Sequence, residues 1–320
     1  MARWFFNTQA YLELESERVG GNPEIVFQQG EYCLGFIRRG IPAMTYEDGV
    51  SVYGGPSLAV GSLTAADALR AFQGALDARP DQPRIVSLFL RGAVGEYLPE
   101  LQDFPSRMEK IGDSVVIPLN CDADEIFSGF RKKQRYELRK GEQFTVSQCD
   151  DVEGFHRVYT QSMHRTEARP EYFFSEDYLR RLMRIPGSHL YSIRDGGNLL
   201  CSAIFLEQHP FLVYHLSGTA THALHRSPMR SLIAYVAMTH AHGPWQGLSL
   251  GGGVGGGNDT LLRFKQGFSK ATLPVHGLKI VTNPDVYARI ANTGSVDANQ
   301  LAGFFPAYRA PEKLMDGERQ

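Results

Sequence analysis

The chain has 320 residues, a formal net charge of −2, 42% hydrophobic residues and 21% charged residues. That balance excludes an intrinsically disordered chain, and near-neutrality excludes a polybasic nucleic-acid binder, so contact with an anionic partner has to come from a local patch. The length suffices for two modest domains with real cores.

The four cysteines, Cys33, Cys121, Cys149 and Cys201, form no CxxC pair. They read as reduced thiols of a cytosolic protein, neither a disulfide frame nor a zinc site. The start, Met1-Ala2-Arg3-Trp4-Phe5-Phe6-Asn7, lacks the run of about 7–15 apolar residues of a signal peptide. No stretch approaches the roughly 18 apolar residues of a membrane span, so the expected compartment is the cytoplasm.

In chain order, residues 32–37, 50–53 and 85–89 are β-branched or aromatic and bounded by turn residues, which predicts strands. Between them, residues 63–76 repeat apolar side chains at helical spacing, with Thr64 as the N-cap. Tyr53-Gly54-Gly55-Pro56 reads as a turn. A second unit starts with a strand at 114–118 and a helix capped by Asp122, followed by helices over 152–164 and 175–183. Three antiparallel strands follow, at 190–193, 199–206 and 211–216, the first two joined by Asp195-Gly196-Gly197-Asn198. A helix at 228–241, a strand at 248–250, a glycine loop, a helix at 259–268 and a strand at 275–281 complete the pattern. This order predicts an α/β mixed sheet with helices on its faces. The expected domains are 1–115, 116–291 and a tail over 292–320.

Four segments can carry chemistry. Residues 127–140 hold the densest positive charge, with Arg131, Arg135 and Arg139 spaced i, i+4, i+8. Such a stripe is either a solvated helix face or a set of bidentate forks for phosphates. The second segment, residues 251–257, has six glycines in seven positions, and Asn258 reads as the N-cap of the helix beyond. The loop is no P-loop, and its GxGxxG match is nearly automatic in so glycine-rich a run. In the third, the following helix, a 100° wheel sets Lys265 inside the arc of Leu261, Leu262, Phe264 and Phe268. A lysine there is either a snorkelling or ion-paired structural residue, or a cation aimed into a cleft. The fourth, His225-Arg226-Ser227-Pro228-Met229-Arg230, opens a helix with Ser227 as N-cap and Pro228 at the first position. It is either a well-capped surface helix or an anion site at the helix amides. His240 and His242 flank one alanine without a third ligand nearby, so no metal is expected.

Taken together, these segments resemble the Fem-like (FemABX) aminoacyltransferases within the GNAT acyltransferase superfamily. The resemblance rests on Lys133-Gln-Arg135-Tyr136-Glu-Leu-Arg139-Lys140, the helix ending His164-Arg165, Ser227-Pro228, and Gly251-Gly252-Gly253 followed by Phe264-Lys265-Gln-Gly-Phe268. It covers about residues 115–290 well and the first 115 loosely. It implies two GNAT-like lobes in tandem with a cleft, an aminoacyl-tRNA donor, and a lysine at the reaction centre matching Lys265. Gly251, Gly252, Gly253, Phe264 and Phe268 would be its scaffold. Arg131, Arg135, Arg139, Arg226, Ser227 and Arg230 would hold donor phosphates, and Arg165, Tyr53 and Tyr214 would contact the acceptor. The glycine-bearing coenzyme A signature of ordinary GNAT enzymes is replaced here by Arg226-Ser-Pro-Met-Arg-Ser, which favours tRNA over acyl-CoA as donor. The implied reaction forms an amide on an amine of a cell-wall precursor or secondary-metabolite intermediate, with no further cofactor. Acyl-CoA-dependent N-acyl transfer and a non-catalytic binding module are the alternatives.

Overall fold

The structure is a computed structural model that describes residues 2–59, 63–77, 85–101, 103–140, 144–253, 257, 259–294, 296–297 and 301–310. In chain order the elements are α1 (Gln9–Arg18), β1 (Asn22–Gln29), β2 (Tyr32–Gly40), β3 (Glu47–Val50), α2 (Ala65–Asp77), β4 (Ile85–Arg91) and β5 (Ser106–Pro118). There follow α3 (Ala123–Gly129), α4 (Lys132–Lys140), β6 (Val146–Cys149), α5 (Val152–Arg165), α6 (Glu176–Arg184), β7 (Ser188–Asp195), β8 (Asn198–Gln208) and β9 (Phe211–Thr219). The last are α7 (Pro228–Thr239), β10 (Gly247–Gly251), α8 (Thr260–Lys265), β11 (Thr272–Val281) and α9 (Pro284–Ala291).

The chain forms two compact units. The first comprises Phe6–Ile111 and Val275–Gln320, the second Met1–Phe5 and Gly112–Pro274. The expected boundary at 115/116 falls inside β5, and residues 275–291 count with the first unit because β11 pairs antiparallel with β4, from Gly277↔Arg91 to Val281↔Ser87.

In the first unit the strand order is β1-β2-β3-β4-β11. The strand expected over 50–53 instead ends at Val50, and Tyr53 lies in a braced loop, its carbonyl accepting from the Tyr11 hydroxyl at 2.8 Å. Helix α2 is capped as expected by Thr64, whose Oγ1 accepts from Asp67 N at 3.2 Å. Residues 301–310, expected within a tail, are tied down: Leu301 is buried beside Val86, Val281 and Tyr287, and Tyr308 shares a 2.8 Å hydrogen bond with Ser87. Arg309 forms an ion pair with the buried Asp48.

In the second unit the order is β5-β10-β9-β8-β7-β6. The meander β7-β8-β9 is antiparallel, and β9 then pairs parallel with β10, which requires a crossover, supplied by α7. Strand β8 is an almost unbroken buried run because helices pack along it; α5 and α7 both touch it. One core joins Phe205, Leu212, Leu232, Ile233, Leu248 and Phe268. The basic segment expected as one helix is two. Phe130 is extended (φ −65°, ψ 149°), so α3 stops at Gly129 and α4 starts at Lys132.

Candidate active site

The second unit's two parallel strands, β9 and β10, pair only from Gly247↔Phe211 to Ser249↔Val213. Both strands then bulge. On β9, Ile204 of β8 faces Leu216 while Phe205 faces Tyr214, which leaves His215 as the extra residue. On β10, Val116 of β5 faces Ser249 while Val115 faces Gly251, which leaves Leu250 extra. A bulge turns a strand away from its neighbour, so the ladder between β9 and β10 ends where each one bends.

The bent end of β10 carries the glycines. Gly251 has φ +74°, a backbone that only glycine adopts without strain. A Cβ on Gly252 would meet the Asp113 carbonyl oxygen at 2.5 Å, so β5 and β10 approach here as closely as two backbones can. Ser114 Oγ accepts from Gly251 N at 3.1 Å and shares a 2.8 Å hydrogen bond with Ser249 Oγ; both serines are 1% exposed. The Gly252 carbonyl accepts a 2.7 Å bond from Lys265 Nζ.

Lys265 is 7% exposed. Burial pulls its ammonium down from 10.5 to about 8, and the Asp259 carboxylate opposes that shift in part. Among the described residues no carboxylate lies within ion-pair distance of it. Helix α8 holds it from below. Asp259 caps the helix, accepting from Leu262 N at 2.8 Å, and the expected cap Asn258 lies outside the described residues. The helix expected to run to 268 ends at Lys265 in a tight turn, Gly267 N to Phe264 O at 3.0 Å and Phe268 N to Lys265 O at 3.0 Å. Phe264, Phe268 and Phe130 then pack edge to face, at 5.5 Å and 5.4 Å, and seat that turn on the residue that ends α3. The wheel placed Lys265 inward correctly but on a partly wrong arc, since Leu261 is 39% exposed and Phe268 lies beyond the helix.

The expected donor-binding cations are mostly engaged. Arg135 donates to the carbonyls of Phe130, at 2.7 Å, and Ser128, which closes the C-terminus of α3. Arg139 stacks over the Phe127 ring at 5.0 Å. Arg226 pairs with Asp195 at 2.9 Å and lies over Phe144, and Arg230 pairs with Glu137. Ser227 stands at the N-cap of α7 as expected, but in a left-handed conformation (φ 51°) without a side-chain cap bond. Arg131 is exposed, with one long 3.5 Å contact to Gln266.

Of the expected acceptor residues, Arg165 at the end of α5 donates to Ser162 Oγ at 3.0 Å and to the Thr219 carbonyl at 3.4 Å, the last residue of β9. Tyr214 is the first β9 residue past the last β10 pair; its hydroxyl donates to Ser217, and burial pushes its phenol up. Tyr53 belongs to the other unit. His240 and His242 turn to separate partners, the Val236 carbonyl and Asp122, and among the described residues no three His, Cys, Asp or Glu side chains gather as for a metal. No described helix is long and apolar enough to cross a membrane. The residues missed from the sequence are Ser114 and Ser249. Only Ser249's place, polar between Leu248 and Leu250 in a buried strand, hinted at them.

The family model described as an acetyltransferase (GNAT) domain matches residues 128–265, the stretch that contains α4 to α8 and ends on Lys265. No curated protein sequence matches the chain. Among solved structures, FemX superposes with a TM-score of 0.66 at 10% identity, over 89% of this chain and 94% of that one. L-PGS from Bacillus licheniformis gives 0.50 at 14%, over 87% and 93%. A conserved protein of unknown function from Bacteroides thetaiotaomicron gives 0.54 at 10%, over 86% and 93%. Residues 128–265 therefore match an acetyltransferase (GNAT) domain, and the chain shares its fold with FemX and L-PGS.

Proposed function

We propose that the protein is an acyltransferase that moves an aminoacyl group from aminoacyl-tRNA to the amine of a peptide-like acceptor, with Lys265 as the oxyanion-stabilising residue. The observation that carries the reading is the buried Lys265 ammonium, held by the Gly252 carbonyl and, among the described residues, in ion-pair contact with no carboxylate, Asp259 acting on it only from further off. An ammonium has three donors. Among the described residues the Gly252 carbonyl takes one, which leaves two for an oxygen that gains charge.

The acceptor nitrogen attacks as the free amine, a form well populated near neutrality because an α-amine titrates at about 8. A bond forms from nitrogen to the ester carbonyl carbon, and the carbonyl oxygen becomes an oxyanion against Lys265. Collapse breaks the bond to the tRNA 3′-terminal ribose oxygen, which leaves with the proton lost from nitrogen. Nothing is oxidised or reduced. A donor of this kind in a water-poor site is worth about 10²–10³ in rate.

Acyl-CoA is the second reading, and the acetyltransferase family match over residues 128–265 favours it. Against it stands the segment from Arg226 to Ser231, which lacks the glycines that would let a backbone wrap a pyrophosphate. Incubation with a panel of charged tRNAs and of acyl-CoAs, with mass spectrometry of the amide product, decides between them. Amide formed only with release of free thiol overturns the tRNA reading, and no amide with any donor favours a binding module.

A further inference from the structure

The Lys265–Gly252 contact depends on where the end of β10 is held, and the residues holding it take no part in the proposed chemistry. Strand β10 would continue straight were it paired in register. Instead Leu250 bulges, and Gly251 and Gly252 are laid against Asp113 to Val115 of β5. Two buried polar side chains, Ser114 and Ser249, lie at this seam, on the face of the strands opposite Val115, Ile117 and Leu248. Ser114 Oγ accepts from the N–H of Gly251, the first residue past the bulge. The two hydroxyls Ser114 Oγ and Ser249 Oγ share a 2.8 Å hydrogen bond in which either can donate. A buried N–H without an acceptor is costly, so the Ser114 hydroxyl decides which bulged conformation is stable.

We infer that Ser114 and Ser249 are positioning residues for Lys265: their hydroxyl pair fixes the bulge at Leu250, which aims the Gly252 carbonyl at the Lys265 ammonium. The inference rests on Lys265 being the working cation of the proposed reaction, but its geometry is testable without turnover. Removing the Ser114 hydroxyl orphans Gly251 N–H, and the glycine pair, free in φ and ψ, relaxes to find another acceptor. The Gly252 carbonyl then leaves Lys265. A buried ammonium that loses its acceptor is harder to keep protonated, so Lys265 titrates at lower pH.

The test is a titration of Lys265 by NMR in protein labelled at the lysine ε-carbon, its resonance assigned by its loss in Lys265→Met. Ser114→Ala and Ser249→Ala are compared with wild type, and thermal melts check that both fold. The expected result is a downward shift of the Lys265 midpoint by about one to two units in Ser114→Ala, smaller in Ser249→Ala, as for loss of one hydrogen bond to a charged group. Ser114→Thr, which keeps the hydroxyl, restores the wild-type midpoint. An unchanged midpoint in both folded alanine variants overturns the inference. In turnover assays with the donor identified above, kcat is expected to fall about tenfold in Ser114→Ala with acceptor KM unchanged. A shifted midpoint together with full turnover in Lys265→Met would uphold the positioning role and reject the catalytic reading, so the two fail separately.

Discussion

Among the described residues each unit buries one lysine, and the two are furnished differently. In the first unit Lys279, 2% exposed, reaches Glu109 at 2.5 Å and the carbonyls of Leu301 at 2.9 Å and Gly303 at 2.6 Å. A carboxylate and two carbonyls match its three donors, and the result is a clasp that ties 301–303 to β11. In the second unit Lys265 has, among the described residues, the Gly252 carbonyl and no ion-paired carboxylate; burial pulls its ammonium down to about 8, which Asp259 offsets only in part. The same residue type at similar burial is a structural element where its partners are complete and a candidate reagent where they are not. Stability accounts for the first arrangement, since a buried charge persists when paired. It does not account for the second, which costs folding energy and persists for another reason.

The largest expected effect separates the two. Lys265→Met keeps the apolar stem and removes the charge, so kcat/KM falls about 10²–10³-fold, while the melting temperature stays level or rises. Lys279→Met does the reverse. It leaves Glu109 and two carbonyls without their cation and lowers stability by about 3 kcal/mol, while the protein that remains folded keeps its specific activity. Both are read from steady-state rates and thermal melts on the same samples. Full activity in a well-folded Lys265→Met protein would break the comparison.

Titration sharpens it. Between about 8 and 10.5, the native Lys265 is neutral while the unfolded one still binds its proton. Unfolding then takes up a proton, so stability rises with pH across that window. The full span corresponds to about 3 kcal/mol, and Lys265→Met flattens it in denaturant melts between pH 7.5 and 10.5. Activity runs the other way. A required cation makes the rate fall above about pH 8, and in Lys265→Arg, whose guanidinium stays charged, that falling limb moves out of range. A wild-type rate that climbs through pH 9 would instead assign Lys265 as a neutral base.

Much of this contrast was legible in the sequence, and what was not has identifiable causes. Periodicity located β7, β8, β9, α5 and α7 because each has a long, regular pattern and a strong turn or cap. It missed α1, whose apolar and polar residues are mixed around the helix, and β1, where residues 22–29 mix charge and amide among few apolar side chains. Lys265 stood out because a lysine among Leu and Phe breaks a local pattern. Lys279 did not, because its partners lie 170 residues upstream and 22–24 downstream, and long-range partners leave no local trace. The Ser114–Ser249 pair spans 135 residues and was hidden for the same reason.

The smallest expected effect extends the rule from lysines to the arginines of α4, where spacing alone suggested three equivalent forks. They are not equivalent. Arg135 spends its guanidinium on the Phe130 and Ser128 carbonyls, the exposed C-terminal end of α3, so Arg135→Gln lowers stability by about 1 kcal/mol and leaves donor affinity unchanged. Among the described residues the Arg131 side chain has only the long contact to Gln266 and is exposed, so of the three it is the most available to meet a phosphate. With a tRNA donor, Arg131→Gln flattens the dependence of log affinity on log salt by about 0.7–0.9, the value of one phosphate contact. Arg139 lies between these cases, exposed but resting on Phe127, and a fall in the slope for Arg139→Gln would show that its ring contact yields to a phosphate. Donor affinity measured at several salt concentrations for the three single variants, alongside their melts, gives each arginine two coordinates. Equal slopes for Arg131→Gln and Arg135→Gln would mean that partner number does not predict availability, and the lysine comparison would then lose its generality within the same molecule.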